Sequence, residues 1–352
     1  MKNRSKHMDF IRALAIILVI FCHCCETVYD LDSTNAALIY YPTTLIVYLF
    51  FTMGRLGVPL FLLLTGYLFL DRDYDNESAK LFLKKNWIGI IIASEIWVII
   101  NYVYSNWYYG SDFSFEILIK DVLFMKNHEM SHLWYVPMII GMYALIPFVA
   151  SALQKFEDRF VFYLALFYLV ICFIIPIVDI ILKICGMEGC YTMLSIGFSG
   201  GCYGIYFVLG YLLKRNYIKN ISSLRLVIAM ISSFIMIVLI QCMAASHQVY
   251  YKVWYDNGLL LVCGVCIFEL LRRLKFVPFY GIVKNIAYYS FAIFLVHNIV
   301  LLTCYKLMVH YLQLGRYLMV PVYTVITLII TYLVVVIIGK LPLVGKKCLY
   351  LK

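Results

Sequence analysis

Charge is what this sequence has least of. Asp, Glu, Lys and Arg make up 14% of its 352 residues, whereas 64% are hydrophobic and the mean hydropathy is +0.90. A soluble domain carries about a quarter charged residues, and the few found here cannot supply a polar exterior for so much apolar surface. The numbers define an all-α polytopic membrane protein and exclude disordered and fibrous chains. A nucleic-acid role falls too, because the +10 net charge is scattered through short connections instead of forming a basic face. Glycine-rich nucleotide loops are missing. The His residues are scattered and the cysteines, Cys263 and Cys266 among them, sit in apolar runs, so no metal set is expected. No linker rich in Pro, Gly or Ser and no internal repeat divides the chain, which reads as one integral-membrane domain over 1–352. The basic start leads into a long apolar run without a small-residue cleavage site, as in a retained signal anchor.

Apolar runs of membrane-spanning length number ten: about 9–30, 44–70, 86–107, 133–152, 160–182, 195–213, 224–245, 255–271, 283–309 and 317–340. An even number puts both termini on one side. On that side the connections hold Lys2, Arg4 and Lys6; Arg72, Lys80, Lys84 and Lys85; Lys155 and Arg159; Lys214, Arg215, Lys219 and Arg225; Arg272, Arg273, Lys275 and Lys284; and Lys340, Lys346, Lys347 and Lys352. The other side has Lys120, Lys126, Lys183, Lys252, Lys306 and Arg316. Twenty-one against six makes the first side cytoplasmic, with a short tail over 341–352. The stretch 108–131 alternates apolar and charged residues and suits a short interfacial helix. Of the twelve cysteines, most read as small buried hydrophobes. Cys185 and Cys190 share a turn and either pair or remain thiols.

Ionisable residues at membrane depth are costly and mark function. In the first run, eleven steps separate Arg12 from His23, so at ~1.5 Å per residue they share a helix face roughly 16 Å apart. Arg12, near the cytoplasmic end, suits a phosphate or carboxylate. His23, in the outer half, suits proton transfer. Glu26 lies three residues on and can fix the ring's tautomer, and Asp9 stands in the same relation to Arg12. Taken singly, Arg12 also reads as a snorkelling anchor and His23 as a packing contact. Arg55, in Gly54-Arg-Leu-Gly-Val-Pro-Leu-Phe61, is deep enough to need a partner. His132-Leu-Trp134-Tyr135 opens the fourth run as an interfacial anchor or an acceptor contact. His297 and Asn298 form either a second polar site or a helix-packing pair.

These motifs, in order, resemble the membrane-integral acyltransferase 3 family: the Arg12 and His23 spacing, Val58-Pro-Leu-Phe61 with Thr65-Gly-Tyr-Leu68, His132-Leu-Trp-Tyr135, and the block from Ser290 to His297. Thr65 stands where the family more often has Ser. The resemblance implies transfer of an acyl group, usually acetyl, from cytoplasmic acyl-CoA to a hydroxyl of a surface or lipid-linked carbohydrate. Acyl-CoA would be a donor substrate, with no permanently bound cofactor. It implies His23 and Glu26 as the catalytic pair, Arg12 and Arg55 on the donor or channel side, and His132, Trp134, Tyr135, His297 and Asn298 around the acceptor. Membrane lipids surround such a chain, expected in a bacterial inner or plasma membrane. With Lys352 closing the sequence soon after its last run, the stand-alone type without a fused extracytoplasmic domain is expected. The rival is a transporter or flippase for a lipid-linked sugar or small anion, for which buried charges are equally suited.

Overall fold

The computed structural model describes residues 5–31, 43–125, 131–190, 201–309, 311, 314–342 and 345–351. Of these, 79% are helical and none is in a strand, so the all-α expectation holds. The helices are α1 (Lys6–Tyr29), α2 (Thr43–Arg55), α3 (Gly57–Phe69), α4 (Asn76–Phe82), α5 (Ile88–Tyr109), α6 (Phe115–Val122), α7 (Tyr135–Leu153), α8 (Asp158–Leu169), α9 (Ile175–Ile184), α10 (Cys202–Lys214), α11 (Ser223–Ser246), α12 (Gly258–Arg272), α13 (Tyr280–Met308), α14 (Arg316–Gly339) and α15 (Gly345–Cys348).

Every expected span has a helix, but the described residues do not confirm ten crossings. Among the described residues, seven helical segments are long and apolar enough to cross a membrane, or eight if the bent pair α8 and α9 is one span. That pair turns by 41° at a π-helical turn, Val170–Ile174, followed by Pro176. Helix α12 has 15 residues, about 22 Å against the ~30 Å of a bilayer core. It is short because Asn257 caps it, accepting from the N–H groups of Leu259 (2.9 Å) and Leu260 (3.2 Å), which leaves Tyr255 and Asp256 in the turn before it. Helix α10 has 13 residues. The part of its expected span at 195–200 lies outside the described residues.

The chain forms two compact units, Met1–Asp73 with Phe148–Ala287, and Tyr74–Pro147 with Tyr288–Lys352. In the first unit α1 is the interior helix, in contact with α2, α3 and α12. Of its apolar stretch 72% is buried, against 33% for α11, which exposes Ile228, Ile231, Ile235, Leu239 and Met243 along one side. Spacing of three and four residues makes that a lipid-facing stripe. Helices α3 and α10 meet backbone to backbone. A Cβ on Gly66 would strike the Phe207 carbonyl and one on Gly210 the Leu63 carbonyl.

Several basic connections that alternate along the sequence gather at one end of this unit. Arg215 pairs with Asp158 (3.2 Å) and Asp71 (3.7 Å). Arg272 reaches Asn216 (2.7 Å), Arg273 reaches the carbonyls of Ile218 and Ile221, and His7 donates to the Leu274 carbonyl (2.7 Å). Glu269, 1% exposed, holds both arginines. At the α9 C-terminus, Ile180 and Ile184 pack with Ile240 and Ala244, and Val249 and Tyr251 close over them.

In the second unit the Trp87 indole donates to the Ile140 carbonyl (2.9 Å) and that of Trp97 to the Cys348 carbonyl (3.1 Å). Residues 345–351 of the expected tail are therefore docked: Leu349 is buried and the Tyr350 ring meets Phe291. The amphipathic stretch forms α6, started by the Ser114 cap, with Phe115 and Ile119 exposed. Residues 126–130 of that stretch lie outside the described residues.

Candidate active site

Helix α1 and the join of α2 to α3 are drawn together by glycine. A Cβ on Gly54 would lie 2.6 Å from the Cys22 Cα, and one on Gly57 2.7 Å from the Ala15 carbonyl. No other residue permits this approach, which sets Arg55 against the C-terminal half of α1. There Glu26 is held from two sides. Its Oε2 accepts from His23 Nδ1 at 2.7 Å and its Oε1 from Arg55 Nη2 at 2.9 Å. Arg55 continues the chain by donating from Nη1 to the Tyr255 hydroxyl at 3.1 Å. Its guanidinium is 3% exposed and lies 4.5 Å from the Phe51 ring centroid, 4.6 Å from Trp254 and 5.4 Å from Tyr255. Aromatic faces suit a weakly hydrated planar cation, and the carboxylate neutralises it.

The consequence for His23 is chemical. A carboxylate only accepts, so Nδ1 carries the ring proton and the lone pair of the neutral imidazole is on Nε2. The side chain keeps 12% exposure, enough for contact with something beyond the fold. An imidazole oriented by a carboxylate, itself fixed by an arginine, is equipped to take a proton from a hydroxyl and give it back.

The segment 249–257 forms the other wall. Val253, Tyr255 and Asn257 are buried, while Trp254 is exposed and Lys252 and Asp256 are intermediate. Three buried polar contacts fix this strap. Gln241 accepts from the Val253 N–H (3.0 Å) and donates to Thr52 Oγ1 (2.8 Å), and the Tyr206 hydroxyl donates to the Tyr255 carbonyl (2.9 Å).

The second unit brings together another part of the expected set. The Asn298 amide donates to His132 Nδ1 at 3.0 Å, placing the neutral His132 proton on Nε2. His297 Nδ1 donates to the Phe294 carbonyl at 2.7 Å, placing its lone pair on Nε2. The two imidazoles lie edge to face, centroids 5.1 Å apart, and His132 and Tyr135 pack on Phe294. Trp134 stands partly exposed beside Tyr135.

At the other end of α1, Arg12 pairs with Asp9 at 3.6 Å, and Asp9 accepts from the Tyr280 hydroxyl at 3.0 Å. Arg12 is 29% exposed. Cys185 and Cys190 are free thiols. Among the described residues no three His, Cys, Asp or Glu side chains converge as metal ligands. Tyr255, Trp254, Gln241 and Phe51 were not foreseen. Tyr255 is 200 residues from Arg55 and carries no local pattern linking the two.

The first unit thus holds an interior helix with a carboxylate-oriented imidazole, and among the described residues seven or eight helical segments are long and apolar enough to cross a membrane. The family model described as an acyltransferase domain, that of the acyltransferase 3 family, matches residues 6–340. The chain belongs to that family and is a multi-pass membrane acyltransferase. No curated protein and no solved structure matches it.

Proposed function

We propose that the protein transfers an acetyl group from cytoplasmic acyl-CoA to a hydroxyl of a cell-surface or lipid-linked carbohydrate. The observation that carries this reading is the chain His23, Glu26, Arg55, Tyr255, which gives one imidazole lone pair a fixed direction. In this reading His23 Nε2 takes the acceptor hydroxyl proton as the oxygen attacks the thioester carbonyl. The C–O bond forms, the C–S bond breaks, and the imidazolium returns its proton to the departing thiolate. An acyl-imidazole route would use the same lone pair as nucleophile.

Glu26 is a positioning residue that fixes the tautomer, and Arg55 positions Glu26, since its fork is taken up by Glu26 and Tyr255. Arg12, partly exposed at the basic end of the first unit, is assigned to the donor's phosphates. The excess of Lys and Arg in the connections gathered at that end supports placing it in the cytoplasm, with His23 nearer the outside and a plasma membrane as the site of action. The His132, Asn298 and His297 group, with Trp134 and Tyr135, is assigned to the acceptor.

Inside-out vesicles given labelled acetyl-CoA test the reading. Label on luminal carbohydrate, absent with His23→Ala, is the expected result. Label confined to an acceptor on the cytoplasmic face would remove transfer across the membrane, and sugar flux without any labelled product would replace acyl transfer by transport.

A further inference from the structure

The strap over Arg55 has a second face that the chemistry at His23 leaves unused. Val253, Tyr255 and Asn257 are buried, whereas Tyr250 and Trp254 are exposed and Lys252 and Asp256 are half-buried. Trp254 is 37% exposed and Tyr250 52%. The Trp254 indole N–H donates to the Tyr203 hydroxyl at 3.2 Å, which fixes the ring's rotation, and the Lys252 ammonium stands 5.9 Å over the Tyr250 ring. Lys252 is also within electrostatic reach of Glu26. The row thus combines a rigid indole face with a phenol, an ammonium and a carboxyl, on backbone pinned by Gln241 and Tyr206.

That composition differs from an interfacial aromatic belt, whose rings face lipid. Here a cation and a carboxyl alternate with the aromatic residues, and Trp254 lies against a guanidinium. A pyranose needs what this row offers: an aromatic plane for its C–H face and a rim of donors and acceptors for its equatorial hydroxyls. We propose that the outward face of the strap, with Trp254 as stacking plane and Tyr203, Lys252 and Asp256 as rim, docks a pyranose ring of the acceptor glycan. The inference rests on the acyl-transfer reading and adds a further acceptor contact to the His132 group assigned above. Arg55 alone separates the platform from Glu26, 4.6 Å from the indole on one side and 2.9 Å from the carboxylate on the other. Arg55 and Glu26 together thus link a sugar docked there to the imidazole.

The test uses detergent-purified full chain and a set of methyl pyranosides (gluco, galacto, manno and 2-acetamido-2-deoxygluco). Binding is followed by saturation-transfer NMR, and acetyl-CoA binding is measured in parallel by calorimetry. Binding of at least one pyranoside is expected, weakened about tenfold by Trp254→Ala, which corresponds to 1.4 kcal/mol. Trp254→Phe should restore most of it. Lys252→Ala, which leaves the packing on Arg55 intact, should weaken it about threefold by removing one charged donor. Acetyl-CoA affinity should be unchanged in all three. Absence of pyranoside binding to the wild-type chain, or equal binding by Trp254→Ala, overturns the platform and leaves Trp254 as packing for Arg55 or an interfacial anchor. Pyranoside binding through Trp254 without any acetyl-CoA binding supports the platform and removes the acyl-transfer reading instead.

Discussion

The two units treat buried polarity differently. In the first, Glu26, Arg55, Gln241 and Glu269 are buried and tied by hydrogen bonds or ion pairs to named neighbours, with Arg55 Nε the atom left over. In the second, the side-chain oxygens of Ser94, Asn101, Tyr323, Thr327 and Thr331 are buried with no hydrogen-bond partner, as is one oxygen of the half-buried Glu95. A bare neutral hydroxyl in a low-dielectric interior costs about 1–3 kcal/mol, whereas an unpaired charge costs several times more. A pair such as Glu26 and Arg55 therefore has few tolerable arrangements. Among the described residues, the first unit is built around one fixed geometry, while the second leaves several hydroxyl and amide oxygens and one Glu95 oxygen without such partners.

The largest effect that would break this contrast is on chemistry. His23→Ala should lower acyl transfer on the order of 10²–10⁴-fold in the vesicle assay without changing the amount of inserted protein. Unchanged activity would end the assignment of the imidazole. Glu26→Gln should fall nearly as far and also alter the acidic limb of the pH–rate profile, because the ring would lose its tautomer control.

Next in size is a stability effect. Arg55→Met strands the Glu26 carboxylate and should destabilise the protein by about 3–5 kcal/mol in detergent unfolding, with the double variant Arg55→Met/Glu26→Gln recovering part of that loss. No recovery would mean that the charges are not coupled as the distances imply. Arg55→Lys should keep the fold better but lose activity, because a point charge makes neither the fork nor the aromatic stack.

Two smaller effects sharpen the comparison between the units. Gln241→Leu, which frees the strap from α2 and α11, is expected to cost about 1–3 kcal/mol, whereas Ser94→Ala and Thr331→Val should be neutral or slightly stabilising by the same thermal-melt measurement. Glu95→Gln should change the melting point least of all. A large loss there would show that Glu95 is paired with a group as strictly as Glu26 is.

How much of this was legible in the sequence varies with the range of the interaction. The first helix, its Arg12 and His23 register and the partners three residues away were all readable, because helical spacing alone brings Asp9 to Arg12 and Glu26 to His23. That Arg55 needed a partner was readable from its depth. The identity of that partner was not, since Glu26 is 29 residues away and is met through a glycine seam. The expected span over 255–271 failed at its start because the apolar aromatic Tyr255 looks like membrane helix. Asn257 instead starts the helix after it and gives Tyr255 to the strap. Hydropathy likewise could not anticipate the break between α8 and α9, which depends on a π-helical turn and a proline within a continuous apolar run.

The docked tail has a temporal meaning. Trp97 finds its acceptor at Cys348, 251 residues later in the chain. At ~5–20 residues per second, a ribosome needs on the order of 12–50 s to span that gap, so helix α5 has to wait in the membrane with its indole donor bare. The second unit, whose halves flank most of the first in sequence, is therefore completed only once Cys348 has emerged. Holding newly made helices apart from other chains during that interval becomes a requirement on whatever machinery inserts this protein.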